Sequence, residues 1–110
     1  NILIMGLSFK ENCPDIRNTR VIGLIESLKK FDCNVDVYDS WVDKDQAKLE
    51  YNIKPVVYPE DGKYDAIILA VAHDEFKKMT AKKIRMFGKD NNVLYDIKYI
   101  LNANESDKRL

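Results

Sequence analysis

The chain has 110 residues, 45% hydrophobic and 33% charged, a balance typical of one globular domain rather than of a disordered chain. Lysine plus arginine equals aspartate plus glutamate at 18 each, so the basic excess of a non-specific nucleic-acid binder is missing. No apolar run approaches the roughly 20 residues of a membrane span, and since the first residues form a strand pattern without a basic segment, we expect no signal peptide. Because the sequence begins at Asn1 without an initiator methionine and enters an apolar run directly, we expect residues 1–110 to be one domain cut from a longer protein. Its two cysteines, Cys13 and Cys33, are too few for a disulfide framework and lack metal-site spacing, so we expect that protein to be cytoplasmic.

The first half of the chain alternates apolar strand patterns with amphipathic helix patterns. The run at residues 1–8 predicts a buried parallel strand, because its apolar side chains occupy both faces. Asn18 or Thr19 can cap the helix that follows the first loop. In chain order we predict a strand at 1–8, a helix from 18 or 19 to about 31, a strand at 34–38 and a charged helix at about 44–51.

The second half repeats this alternation. Val56–Tyr58 predicts a short edge strand, because prolines flank it on both sides. The continuous apolar run within 65–72 predicts a second buried central strand. After it we predict two short helices at about 74–79 and 80–87, a fifth strand at 92–95 and a polar tail at 102–110 that is mobile except where Leu110 packs.

Strands alternating with helices define the fold class as α/β. We predict a Rossmann-like, three-layer α/β/α domain with a doubly wound, five-stranded parallel sheet in the order 3-2-1-4-5. In that order the first and fourth strands are neighbours, and the switch point of the sheet lies between them. The loop at Phe9 and Lys10 and the His73 that ends the fourth strand should then border one crevice.

The loop at residues 6–19 carries the strongest functional signal. Lys10 is a flexible point charge and Arg17 a planar fork suited to phosphate or carboxylate, while the unpaired N–H groups of the next helix favour anions. Gly6 permits a tight turn or a close backbone approach. On residue types alone, these cations are equally consistent with ordinary solvated surface charges.

The order of residues in this loop resembles the UDP-binding C-terminal domain of the UDP-glucose/GDP-mannose dehydrogenase family. The similarity is greatest to the branch that oxidises UDP-N-acetylhexosamines, whose loop also reads Phe-Lys-Glu-Asn-Cys-Pro-Asp. It covers nearly the whole chain. The residues that carry it are Phe9-Lys10-Glu11-Asn12-Cys13-Pro14-Asp15-Ile16-Arg17-Asn18-Thr19, Val35-Asp36-Val37-Tyr38-Asp39, Ala70-Val71-Ala72-His73-Asp74-Glu75-Phe76 and Asp96-Ile97-Lys98.

The resemblance implies an NAD-dependent UDP-sugar 6-dehydrogenase of bacterial surface polysaccharide synthesis. Phe9 and Lys10 match the family's substrate-binding pair, and Lys98 lies near a second basic substrate contact, where many members carry arginine. Arg17 matches the arginine that reaches NAD on the N-terminal domain. The resemblance also implies that the full-length enzymes are homodimers. Their N-terminal domain would carry the glycines of the dinucleotide-binding motif and the catalytic cysteine. This agrees with the lack of a Gly-x-Gly-x-x-Gly motif here and implies that the isolated domain is inactive.

Several of these residues also have plainer interpretations. Phe9 could belong to the core, and Asp15 could pair with Arg17 or cap the helix. Cys13 has cations near it in sequence, which can activate a thiol, yet the resemblance puts the nucleophile elsewhere, so we predict no catalytic residue in this chain. Cys33 is interpreted as structural.

Polar residues at the other strand ends leave further alternatives open. His73 could act as a general base or be a hydrogen-bonded histidine at a strand end. Asp36 and Asp39 are interpreted as solvent-facing or loop-bonding. The rival functional class is a stand-alone nucleotide-binding or receiver-like regulatory module, with Asp39 and Asp96 as candidate phospho-acceptors.

Overall fold

A computed structural model describes residues 1–109 of the chain. Five strands form one parallel sheet, and three helices and a short 3-10 helix connect them. The elements are β1 (Ile2–Met5), α1 (Val21–Lys30), β2 (Val35–Tyr38), α2 (Lys44–Tyr51), β3 (Tyr64–Leu69), α3 (Asp74–Arg85), β4 (Gly88–Asp96), the 3-10 helix (Ala103–Glu105) and β5 (Lys108–Arg109). The spatial order of the strands is β2-β1-β3-β4-β5.

The predicted fold class is confirmed: the domain is a five-stranded parallel sheet between two layers of helices. Successive residues of β1 pack on opposite faces of the sheet: Leu3 and Met5 belong to the core shared with α3, and Ile4 belongs to the core shared with α1 and α2. The sheet is therefore the middle of three layers. All three side chains are fully buried. Continuous apolar patterning therefore reflects a strand covered on both faces.

One predicted strand was wrong, and the predicted order changes with it. Residues 56–58 form no strand; a single backbone hydrogen bond, from Val56 N to Val37 O at 2.8 Å, joins them to β2. The two flanking prolines leave too few N–H donors there for a regular ladder. The fifth strand of the sheet is instead β5, which pairs with β4 at the opposite edge. It lies within residues 102–110, so the prediction of a mobile tail there is wrong for this segment. Leu110 lies outside the described residues.

The helices agree with prediction more closely. Helix α2 has the predicted bounds, and α1 begins after Thr19, whose Oγ1 accepts from Val21 N at 3.3 Å. The division into two short helices predicted after β3 is confirmed: within the range of α3, the non-helical backbone angles of Thr80, φ 70° and ψ 158°, separate one helical segment from the next. None of the helices in residues 1–109 combines the length and apolar character needed to cross a membrane.

Candidate functional site: the carboxyl edge of the sheet

Gly6 begins the first loop, residues 6–19, directly after β1. Its φ is +107°, and a Cβ on it would lie 2.5 Å from the Cβ of Val71. Its amide donates to Tyr38 O at 2.8 Å. Only glycine satisfies both the backbone angle and the close approach, so the β1 and β3 ends can meet at this point.

Asp39, at the end of β2, organises the start of the loop. Its Oδ2 accepts from the amides of Leu7 at 2.7 Å and Ser8 at 3.0 Å, and its Oδ1 accepts from Trp41 N at 2.9 Å. Burial raises the pKa of Asp39, but hydrogen bonds from His73 and these amides outweigh it, so the pKa of this carboxyl lies below its ordinary value. The loop-bonding interpretation of Asp39 is confirmed.

His73, after β3, completes this buried network. Its Nε2 lies 2.9 Å from Asp39 Oδ2 and 3.1 Å from Ser8 Oγ. Its Nδ1 accepts from the amide of Asn12 at 2.9 Å, and since an amide can only donate, the ring proton must be on Nε2. The side chain has no exposed surface. Both ring nitrogens are therefore occupied by loop contacts, and His73 does not border an open crevice as predicted.

Ser8, His73 and Asp39 are the residue types of a hydrolytic triad, but their geometry is different. A triad histidine contacts serine and aspartate through opposite nitrogens, whereas here both contact Nε2. The Ser8 hydroxyl donates to the Lys10 carbonyl oxygen at 3.1 Å. The network thus holds the loop in position rather than activating a nucleophile.

A cavity of about 610 Å³ opens between this loop, α1 and the segments that follow β3 and β4. Because β3 lies between β1 and β4, the segments that follow these three strands lie side by side at the carboxyl edge of the sheet, and each contributes lining residues. Its polar lining residues are Ser8, Lys10, Glu11, Thr19, Arg20 and Lys98, and its apolar ones are Phe9, Val21, Leu24, Ala70, Val71, Ala72 and Ile97.

Three of the four predicted site residues therefore line one cavity: Phe9, Lys10 and Lys98. Phe9 is 57% exposed, so it does not belong to the core. Lys10 and Lys98 come from loops 88 positions apart in sequence and meet because of the strand order. Arg20 was not among the predicted site residues, although a cation directly before a helix, where the helix dipole repels it, is an uncommon arrangement that could have indicated it.

Arg17, the fourth predicted residue, is not among the residues that line the cavity. Its Nε and Nη2 donate to the two carboxylate oxygens of Asp15 at 3.1 and 3.0 Å, and 76% of its side chain is exposed. The predicted Asp15–Arg17 pair is thus present. Hydrogen bonds from Arg17 lower the pKa of Asp15, and Asp15 raises the pKa of Arg17 in return.

The remaining candidates have local structural roles. Asp96 is fully buried and accepts from the amides of Ile100 at 3.0 Å and Leu101 at 2.8 Å. Since Asp39 and Asp96 are both buried and hydrogen-bonded, neither presents the exposed carboxylate that a phospho-acceptor needs.

Asp36 accepts from Tyr64 Oη at 2.7 Å and pairs with Lys63. Cys13 and Cys33 are half-buried free thiols.

Comparison with known proteins assigns the chain to a family. Residues 3–103 match the model of the UDP-glucose/GDP-mannose dehydrogenase family, UDP binding domain. The chain belongs to this family of oxidoreductases, as the resemblance predicted.

The chain is 54% identical over 110 residues to a UDP-N-acetyl-D-glucosamine 6-dehydrogenase of Salmonella typhi, and 54% identical over 109 residues to one of Pseudomonas aeruginosa. The matches cover 100% and 99% of this chain but 26% of each relative, so the chain spans about a quarter of their length. The UDP-D-ManNAc dehydrogenase structure of Pyrococcus horikoshii superimposes with a TM-score of 0.73 at 21% identity, covering 98% of this chain and 24% of that one. This likeness shows the shared fold.

Proposed function

We propose that this chain is the UDP-sugar-binding domain of an NAD-dependent UDP-N-acetylhexosamine or UDP-glucose 6-dehydrogenase. The observation that supports it most is the cavity lined by Phe9, Lys10 and Lys98, in a chain 54% identical to UDP-N-acetyl-D-glucosamine 6-dehydrogenases. UDP-N-acetyl-D-glucosamine is accordingly the first substrate to test. The remainder of the enzyme, a cytoplasmic homodimer in this proposal, would contribute the NAD-binding domain and the nucleophile.

The chemistry of the cavity suits a nucleoside diphosphate. Lys10 and Lys98 can donate charge-assisted hydrogen bonds to phosphate oxygens, and the exposed ring of Phe9 offers a face to the uracil or the sugar. Val21 and Leu24 add apolar lining that would pack against the uncharged parts of the ligand. These residues would bind and orient the substrate, and the chain's own part in catalysis is positioning.

Arg17 suits a contact with the cofactor rather than with the substrate. Asp15 holds its Nε and Nη2, so the fork is oriented in advance while Nη1 stays available to a phosphate. Oxidation of a hydroxymethyl group to a carboxylate removes four electrons, and NAD supplies the hydride acceptor in each of two transfers. Arg17 would hold NAD bound on the other domain and help keep the two domains closed.

Calorimetric titration of residues 1–110 with UDP and with NAD tests the assignment. We expect UDP to bind with a millimolar dissociation constant, about 4 kcal/mol, because half of the cleft is contributed by another domain. NAD should not bind measurably, and the isolated domain should not oxidise a UDP-sugar when NAD is present. Tight NAD binding with no UDP binding would refute the assignment.

A further inference from the structure

Arg20 stands apart from the other arginines of the described chain. Arg17 and Arg85 pair with aspartates, and the Arg109 guanidinium lies 4.0 Å from the Tyr99 ring centroid. Arg20 is exposed, forms no ion pair within residues 1–109 and lines the cavity. The five N–H donors of its side chain are thus left without an acceptor among residues 1–109.

The position of Arg20 is unfavourable for the fold alone. It immediately precedes α1 with helical backbone angles, φ −76° and ψ −14°, and the first turn of α1 has no acidic residue. The helix dipole puts partial positive charge at this end, so a cation here is repelled and an anion attracted. Thr19 already accepts from the Val21 amide, so Arg20 is not required as a cap. Residues that break a local rule without structural compensation tend to occur at functional sites.

The cavity lining explains what Arg20 can bind. Lys10, Arg20 and Lys98 contribute three positive charges and Glu11 one negative charge, which leaves a net +2. A diphosphate esterified at both ends carries one negative charge on each phosphate, so the two groups are complementary. The three cations come from three different segments, the first loop, the start of α1 and the end of β4, and so surround the space between them.

We propose that Arg20 is a third phosphate-binding residue of this site, holding the diphosphate of the nucleotide sugar together with Lys10, Lys98 and the amino end of α1. The inference rests on the proposed function and adds a residue to it. The planar guanidinium can contact two phosphate oxygens at once, which neither lysine can do. Arg20 is a positioning residue in this proposal: it orients the diphosphate and takes no part in proton or hydride transfer.

The test compares Arg20→Gln and Arg20→Lys with a matched control, Lys82→Gln. Lys82 is also an exposed cation that forms no ion pair with any residue of 1–109, but it lies on α3 and does not line the cavity. UDP and inorganic pyrophosphate are titrated into each form of the chain at low ionic strength, and dissociation constants are taken from NMR chemical-shift changes. Thermal melting of each variant reports whether the fold is intact.

We expect Arg20→Gln to raise the dissociation constants of both UDP and pyrophosphate about 5- to 10-fold, and Lys82→Gln to change them less than about 2-fold. Arg20→Lys should give an intermediate value. The melting temperature of Arg20→Gln should equal or exceed that of the wild type, because a repulsion with the helix dipole is removed.

Other results would overturn the inference in different ways. If the wild type binds UDP and Arg20→Gln binds it equally well, Arg20 has no role while the proposed function stands. A loss for UDP without one for pyrophosphate would assign Arg20 to the uridine, and an equal loss in Lys82→Gln would reduce the effect to overall charge. A wild-type chain that binds neither ligand would refute the proposed function itself.

Discussion

The imidazole Nε2 of His73 lies 2.9 Å from Asp39 Oδ2, although the two residues are 34 positions apart in the chain. Asp39 follows β2 and His73 follows β3, and β1 lies between these two strands in the sheet. The loop that begins after β1 is therefore held from both sides. The same carboxylate accepts from the Leu7 and Ser8 amides, so Asp39 links the start of the first loop to the ends of both β2 and β3.

We expect Asp39→Asn to destabilise the domain by about 2–3 kcal/mol, since a buried acceptor of several hydrogen bonds is replaced by a group that accepts fewer. The pKa of Asp39 is lowered in the folded state. Its contribution to stability is therefore present above the unfolded pKa of about 4 and is lost as pH falls through the folded value.

Urea denaturation of wild type and Asp39→Asn between pH 3 and 7 measures this contribution. The difference in unfolding free energy should be largest near neutral pH and should shrink as the solution becomes acidic. Asp61→Asn, at an exposed turn, is the control and should change little at any pH. A difference independent of pH would mean that the charge of Asp39 has no part in holding the loop.

Gly6→Ala should cost about 2–4 kcal/mol, because the new Cβ would meet Val71 at 2.5 Å with φ at +107°. Gly23→Ala is the matched control: Gly23 lies within α1 and nothing stands within 4 Å of a Cβ there. That change should stabilise the domain by up to about 1 kcal/mol. Equal effects of the two substitutions in thermal denaturation would show that the Gly6–Val71 approach is not required.

Lys10→Ala should mainly raise KM for the UDP-sugar in the full-length enzyme. Loss of a charge-assisted hydrogen bond in a closed site costs about 1.5–3 kcal/mol, or roughly 10- to 150-fold. Lys29→Ala, an exposed lysine in the last turn of α1, should leave KM unchanged. An unaltered KM in Lys10→Ala would identify Lys10 as an ordinary surface charge.

Arg17→Lys should impair the full-length enzyme despite keeping the charge. Lysine cannot reproduce the planar fork that Asp15 orients, so we expect KM for NAD to rise about 10-fold and kcat to fall. UDP binding to residues 1–110 should remain near the wild-type value, the opposite of the Lys10→Ala pattern. If Arg17→Lys weakens UDP binding by the domain as much as Lys10→Ala does, Arg17 belongs to the substrate site.

The sequence by itself determined the α/β class, four of the five strands within residues 1–109 and the loop that lines the candidate site. Runs such as Ile2–Met5 and Ala66–Leu69 are apolar at every position, which is a local signal for strands covered on both faces. The motif with Phe9, Lys10 and Arg17 directly after such a strand is also a local signal. It indicated the family that the match over residues 3–103 then showed.

Only the tertiary structure decided which polar residues meet. The sequence predicted a strand at the proline-flanked residues 56–58 and a mobile tail at 102–110, whereas the structure places the fifth strand, β5, within that tail, where it pairs with β4. The burial of His73 and its bond to Asp39, and the meeting of Lys10, Arg20 and Lys98 around one cavity, depend on strand order. The physical reason is that hydrogen bonds and charge clusters between distant segments leave no periodic trace in the chain, whereas burial of a continuous strand or helix face does.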